Sequence, residues 1–482
     1  MNKNKLGVNY ILNLISSIFG IILPIITTPY VSRVLGAANI GVYSFTYSLI
    51  TMFILIGALG TATHGQRIIA RYQDNVFEKS KAFYEIFLLR AFVLTISLLV
   101  YFVVVIIYHN YFFYFLIQIP YFISAIFEIT WFYQGNDDYK FITIRNIGFK
   151  ILGLVFIFIF VKETGDLWKY LLILCSSQFL SNISMWPLLR KRIVKVSIKE
   201  LKIWGHFRET MVYFIPTLAY QLYSLIDKVL LGFLSTEVET GFYEQAFKII
   251  TFATTILASY NVVVRTRMSY LHKNYTDDAS QENKEAIDDT IRNSINIVLL
   301  LSCPIFVGVV SISSNLTGWF LGDEFDKVGL LLKIFGVMIL LNSFRGLIGS
   351  LIFIPYGIQK KANIAQCAAA LFNVASTAIL IPILYSIGAI ISSLLSEVII
   401  LSLYVVFSWK YVDYCYVLKK ALKYLLTAIL MGLSIFWIDH YLTGIICTLI
   451  QILAGCFVYF GILLLIKDNY VLSLLKRLFK KG

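Results

Sequence analysis

Six ionisable side chains lie deep inside long apolar stretches of this 482-residue chain: Lys150, Asp227, Lys228, Lys248, Arg345 and Glu397. Arg90, Glu128, Glu244 and Lys333 lie nearer the ends of such stretches. An ionised group at the centre of a bilayer costs at least ~2.5–3.5 kcal/mol on insertion scales, so it faces protein or water and marks a structural pair or a functional site. Asp227 and Lys228 are consecutive, and Glu244 and Lys248 stand i,i+4 on one helix face, where opposite charges meet. Structural pairing and function are evenly matched there. Lys150 and Arg33 have no obvious local partner and are the better ligand candidates. Arg33, Lys150, Lys228, Lys248 and Arg345 together would make a cationic cavity for an anionic group such as a pyrophosphate. Glu128 and Glu397 are candidates for cation or proton coupling, and Asp227 and Glu244 for coupling or ion pairs. An inter-bundle ion pair of Glu397 with Arg345 competes with the coupling role.

No catalytic set and no metal site emerges. The six cysteines (Cys175, Cys303, Cys367, Cys415, Cys447 and Cys456) are scattered, with no CxxC or Cys/His spacing, so neither a disulfide nor a metal is read from them. No cofactor is expected. Most Tyr and Phe residues are expected as interfacial belts or lipid-facing filler, while a few in a cavity would stack on sugar rings.

The elements that position these groups follow from composition. Apolar residues make up 59% of the chain and charged residues 14%, with a mean hydropathy of +0.79. A soluble domain carries roughly 25% charged residues; this chain lacks the polar surface for it. Apolar runs of ~20 residues recur along the whole length, enough for helices to cross a ~30 Å core, and nothing shows the ~10-residue alternation of barrel strands. The first run, from Tyr10 to Val34, is too long for a signal peptide and has no small-residue cleavage site.

The runs place helices near 9–34, 39–62, 83–107, 111–134, 141–161 and 167–189, then near 210–233, 241–267, 287–311, 328–355, 361–383 and 386–408, and finally near 418–437 and 444–466. With the N-terminus inside, most Lys and Arg fall in cytoplasmic segments, and the bias never inverts along the chain. Both termini are therefore expected in the cytoplasm, with the chain multi-pass in the cell membrane. The net charge of +14 then faces anionic lipid headgroups, and nucleic acid is not needed as a partner.

A shift of 200 residues aligns Gly41–Thr51 with Gly241–Thr251, matching Gly, Tyr, Ile and Thr, with Tyr47 opposite Phe247. Just upstream, Ser32–Gly36 resembles Asp227–Gly232. Both copies begin on the same side, so the repeat is parallel, with its pseudo-twofold axis along the membrane normal. The expected architecture is all-α and integral to the membrane: about 14 transmembrane helices forming two pseudo-symmetric six-helix bundles plus a C-terminal helix pair. The first bundle spans 1–190, a basic linker 191–209, the second bundle 210–408, an additional hairpin 409–466, and a basic amphipathic tail 467–482. Two such bundles can rock to expose a midplane site to each side in turn.

Several segments resemble a known family. Glu128-Ile-Thr-Trp-Phe-Tyr-Gln-Gly135 followed by Arg145-Asn146, with Thr28–Gly36 and Asp227–Gly232, resembles the polysaccharide repeat-unit flippases, the Wzx-type members of the MOP superfamily that also holds MATE exporters and lipid II flippases. The resemblance spans essentially the whole chain, including the 6+6+2 helix count. It implies no enzymatic step. It does imply movement of an undecaprenyl-diphosphate-linked oligosaccharide from the inner to the outer leaflet, for O-antigen, capsule or exopolysaccharide synthesis. Implied partners are that lipid-linked sugar, membrane lipid and other polysaccharide-assembly proteins. The relatives line their cavity with basic residues, and Arg33, Lys228 and Lys248 are the positions here that match. The competing readings are a MATE-like small-molecule exporter, a polymerase or glycosyltransferase of the same pathway, and a scaffold. Deep basic residues disfavour the exporter, and the short longest outer segment, about 312–327, disfavours the polymerase.

Overall fold

The computed structural model describes residues 3–479, with the side chains of 3–18, 21, 215–217, 219, 220, 222, 223, 475 and 477–479 excepted. The described residues form eighteen α-helices joined by short 3-10 and π turns, with no strand among them. Contacts divide the chain into two compact units, Met1–Gly241 and Phe242–Gly482.

The first unit begins with α1 (Lys3–Ala58), a 56-residue run broken at Gly36, whose φ of 74° and ψ of 172° leave the helical region. An L side chain is strained at such a φ, which glycine adopts freely. The two expected spans 9–34 and 39–62 are therefore the two limbs of α1. A left-handed turn at Leu59 and Gly60 leads to α2 (Thr61–Arg71), and Asn75 caps α3 (Val76–Tyr108) by accepting from the Glu78 amide at 3.1 Å. The expected span 111–134 is three short pieces: α4 (Phe112–Ile117), α5 (Ile119–Ile126) and α6 (Thr130–Gly135). After them come α7 (Tyr139–Phe160), α8 (Leu167–Ile183), the short α9 (Trp186–Leu189) and α10 (Phe207–Leu234). Helix α1 packs against α3, α7 and α10, α5 and α7 both pack on α8, and α2 lies on α6.

The Trp131-Gln134-Gly135 signature accounts for that last contact. Trp131 is buried, stacks on Phe83 at 5.5 Å and covers Gly65, where a Cβ would lie 2.5 Å from the indole. A Cβ at Gly135 would lie 2.7 Å from the Gln66 carbonyl oxygen. The motif joins two helices by close packing.

The second unit holds most of α11 (Glu237–Asp277), then α12 (Gln281–Leu321), α13 (Asp326–Phe335), α14 (Val337–Ile348), α15 (Gln359–Ser408), α16 (Tyr414–Phe436), α17 (Gly444–Leu465) and α18 (Asn469–Phe479). The division between the units falls within α11. Ser280 caps α12 and Asp413 caps α16. Helix α15 breaks at Tyr385, with φ of 54° and ψ of −130°, three residues after Pro382; proline removes a helical donor. Its limbs contain the expected spans 361–383 and 386–408. The expected span 328–355 is a pair bent by 44° around Gly336.

Helix α12 is the hub, touching α13, α14, α16 and α17. The Asn315 amide nitrogen donates to Thr448 Oγ1 at 2.9 Å and its oxygen accepts from the Gly444 amide at 2.8 Å, which ties the C-terminal hairpin to α12. Asp468 starts α18 by accepting from the Tyr470 and Val471 amides, while Lys423 donates to it at 2.5 Å. Burial alone would raise the Asp468 carboxyl, but Lys423, the Val471 amide and Lys420 hold it below the usual range. Residues 480–482 of the expected basic tail lie outside the described residues.

Among the described residues, ten helical segments are long and apolar enough to cross a bilayer, and the bent pair makes eleven. The expected count of about fourteen is therefore not confirmed: α10 does not qualify as a span, and α1 and α15 each count once despite their breaks.

Candidate functional site

Of the five expected cavity cations, Lys150 lines a cavity whose described walls mix apolar and polar side chains. It sits on α7 beside a hollow of about 250 Å³ between α1, α5, α7 and α8, within the first unit. Four tyrosines form much of the wall: Tyr43, Tyr47, Tyr121 and Tyr170. Tyr43 and Tyr47 stand one helical turn apart on α1, so both rings face the same way. The Tyr47 and Tyr121 rings stack at 5.0 Å with their hydroxyls 3.0 Å apart, and Tyr43 packs on Tyr170 at 5.2 Å. Lys150 is exposed and makes no ion pair or hydrogen bond with a described residue. Among the described residues, no carboxylate lines the hollow. Its other polar lining groups are Thr27, Ser177 and Gln178.

Arg33 and Lys228 lie in the same unit but do not line this hollow. Arg33 is exposed on α1, three residues before the Gly36 break; Lys228 is half-buried on α10 beside the fully buried Asp227. Glu128 pairs with Arg90 at 3.1 Å and accepts from the Thr130 amide at 2.7 Å, at the start of α6. Arg90 is buried, and it also donates to the Ala125 carbonyl at 3.0 Å and to Thr61 Oγ1 at 3.1 Å. One guanidinium thus joins α2, α3, α5 and α6.

In the second unit, Lys248 and Glu244 pair at 3.3 Å along α11. Arg345 on α14 is ion-paired with Glu397 on α15, within the second unit and not between bundles as expected, and it donates to Asn342 Oδ1 at 2.9 Å. Glu397 is fully buried, and its second oxygen, Oε2, has no hydrogen-bond partner. An unsatisfied buried carboxylate oxygen is costly.

A second hollow, of about 410 Å³, lies between α11, α12, α16 and α17. Leu300, Ile305, Ile312, Ile435, Ile452 and Phe460 are among its lining, which is almost wholly apolar. Gln451 is its main polar group, and that side chain donates to Asp439 at 2.7 Å.

The tyrosine wall was only partly legible in the sequence. The i,i+4 spacing of Tyr43 and Tyr47 could have flagged it, but nothing local brings Tyr121 and Tyr170 to the same place. A second cluster had no sequence signal at all. His64 on α2, Glu85 on α3 and His206 in the linker form a chain of 2.9 Å contacts, because 191–209 folds back onto the first unit.

The chain matches the family described as "Polysaccharide biosynthesis protein" over residues 6–271. It is 22% identical over 416 residues to a putative O-antigen transporter of Escherichia coli strain K12, covering 84% of this chain and 98% of that one. Among solved structures it is similar to the lipid II flippase MurJ in an inward closed conformation, with a TM-score of 0.72 at 16% identity, covering 97% of this chain and 99% of that one. It is also similar to an inward-facing multidrug resistance MATE family transporter of the MOP superfamily, with a TM-score of 0.59 at 14% identity over 81% and 93% of the two chains. The fold is therefore the one these membrane transporters share, and the chain belongs to the polysaccharide biosynthesis protein family.

Proposed function

We propose that the protein is a flippase that carries an undecaprenyl-diphosphate-linked oligosaccharide repeat unit from the cytoplasmic to the outer leaflet by alternating access. The observation that carries this reading is the similarity to a putative O-antigen transporter across 84% of the chain. The two hollows suit the two ends of such a substrate. The tyrosine-walled hollow with Lys150 suits a polar, negatively charged head. The apolar hollow beside the C-terminal hairpin suits the prenyl tail. Arg33, Lys228 and Lys248 are assigned to guiding the diphosphate, and Glu397 to coupling through a proton or cation. The charge bias favours both termini on the cytoplasmic side. A hollow whose charged lining group is a lysine is poorly matched to cationic drugs.

Deletion in a strain lacking redundant relatives tests the reading. Lipid-linked oligosaccharide should accumulate in the inner leaflet and surface polymer should disappear. Normal surface polymer would overturn it.

A further inference from the structure

The hollow beside Lys150 is small, tyrosine-walled and singly charged, and those three properties narrow what it takes. At about 250 Å³ it falls just below the ~300 Å³ at which pockets for drug-sized ligands begin, so it holds one sugar ring rather than a whole repeat unit. The aromatic faces of Tyr43, Tyr47, Tyr121 and Tyr170 suit the C–H faces of a pyranose, while Gln178 and Ser177 offer hydrogen bonds to its hydroxyls. A diphosphate would call for several cations, most effectively bidentate arginines. Among the described residues, this hollow offers one ammonium and no guanidinium. With no carboxylate among its walls and no hydrogen-bonding partner among the described residues, that ammonium is left for a ligand.

We propose that this hollow is a subsite for a single sugar ring bearing one negative charge, with Lys150 holding the anion and the tyrosines holding the ring. The proposal rests on the flippase reading and specifies which part of the carried oligosaccharide the first unit recognises. A uronic-acid carboxylate and a sugar phosphate share the required chemistry.

The test uses the full-length protein in lipid nanodiscs and reads binding of glucose, glucuronate and glucose 1-phosphate by saturation-transfer NMR, and that of inorganic pyrophosphate by its displacement of the bound sugar signal. Charge-assisted bonding should make glucuronate, glucose 1-phosphate or both bind about tenfold more tightly than glucose. Lys150→Gln should abolish that preference and Lys150→Arg should keep it, with saturation reaching the ring protons. The stronger of the two charged sugars identifies the source of the anion. Equal binding of glucose and both charged sugars would overturn the proposal, as would no binding of any sugar. Pyrophosphate binding at least as tightly as the charged sugars, with the same Lys150 dependence, would also overturn it, because the hollow would then be a headgroup site. The two claims separate cleanly. No preference for charged sugars, alongside trapped lipid-linked oligosaccharide in the deletion strain, removes the subsite and leaves the flippase. Charge-selective binding with normal surface polymer does the reverse.

Discussion

Gly41 and Gly241, the pair that a shift of 200 residues aligns, meet backbone to backbone. A Cβ on Gly41 would stand 2.9 Å from the Gly241 amide nitrogen and would collide with the Glu237 carbonyl; one on Gly241 would stand 3.2 Å from the Gly41 nitrogen and collide with the Ala37 carbonyl. The obstacles are main chain, which cannot rotate away. Overpacking costs about 1–3 kcal/mol and sometimes more, and Gly41→Val should reach or exceed the upper end. A lowered Tm and loss of monodisperse protein on size exclusion are expected, whereas Gly148→Ala, with nothing within 4 Å, should be silent. Equal behaviour of the two variants would mean that the α1–α11 approach is not tight.

Arg90 and Glu128 should behave as a structural pair. Removing one partner of a buried pair costs about 3–5 kcal/mol, while replacing both with apolar groups is often far milder. Glu128→Leu alone should therefore lower the Tm more than the Arg90→Met/Glu128→Leu double variant does. A double variant worse than the sum of the single variants would assign Glu128 a role beyond pairing.

How much of this was legible in the sequence depended on range. Helical runs, the Gly36 break and the Glu244–Lys248 pair are set within a few residues of one another, so periodicity and spacing reveal them. Arg345–Glu397 was legible only as two deep opposite charges that could pair. The tyrosine wall and the His64–His206 contact depend on how helices far apart in the chain pack, which no local pattern encodes. The Trp131 motif was visible as a signature, but its packing role needed Gly65, more than sixty residues upstream.

His64 should make the linker contact sensitive to acid. It is buried on α2, with His206 at 2.9 Å, Glu209 at 3.6 Å, and Arg67 and Tyr213 nearby. Burial first, and His206 second, push it from 6.5 down to about 4. Between those values the unfolded histidine takes a proton that the folded one refuses. The contribution is therefore intact above pH 6.5 and lost as pH falls toward 4. The Tm should drop more steeply between pH 7 and pH 5 in the native protein than in His64→Gln. Parallel profiles would remove His64 as the cause.

Gly455 offers a way to fill the apolar hollow without unfolding its walls. A Cβ there meets Met431 at 3.5 Å, ordinary contact distance, and the residue lines the hollow. Gly455→Leu should leave expression and Tm near native values but suppress surface polymer in a complemented deletion strain. Full complementation would show that the hollow takes no prenyl chain.

Glu397 presents a different balance, because one of its oxygens is paired with Arg345 while Oε2 is buried without a partner. The proposed coupling role would act through that oxygen. Glutamine keeps the shape and an acceptor for Arg345 but carries no charge. In proteoliposomes carrying a lipid-linked oligosaccharide, Glu397→Gln should fold and still bind substrate, yet its flipping rate should no longer respond to an imposed proton or sodium gradient. Arg345→Lys, which keeps the charge, should retain that response. If the glutamine variant follows the gradient as the native protein does, Glu397 serves only to neutralise Arg345, and coupling must run through another group.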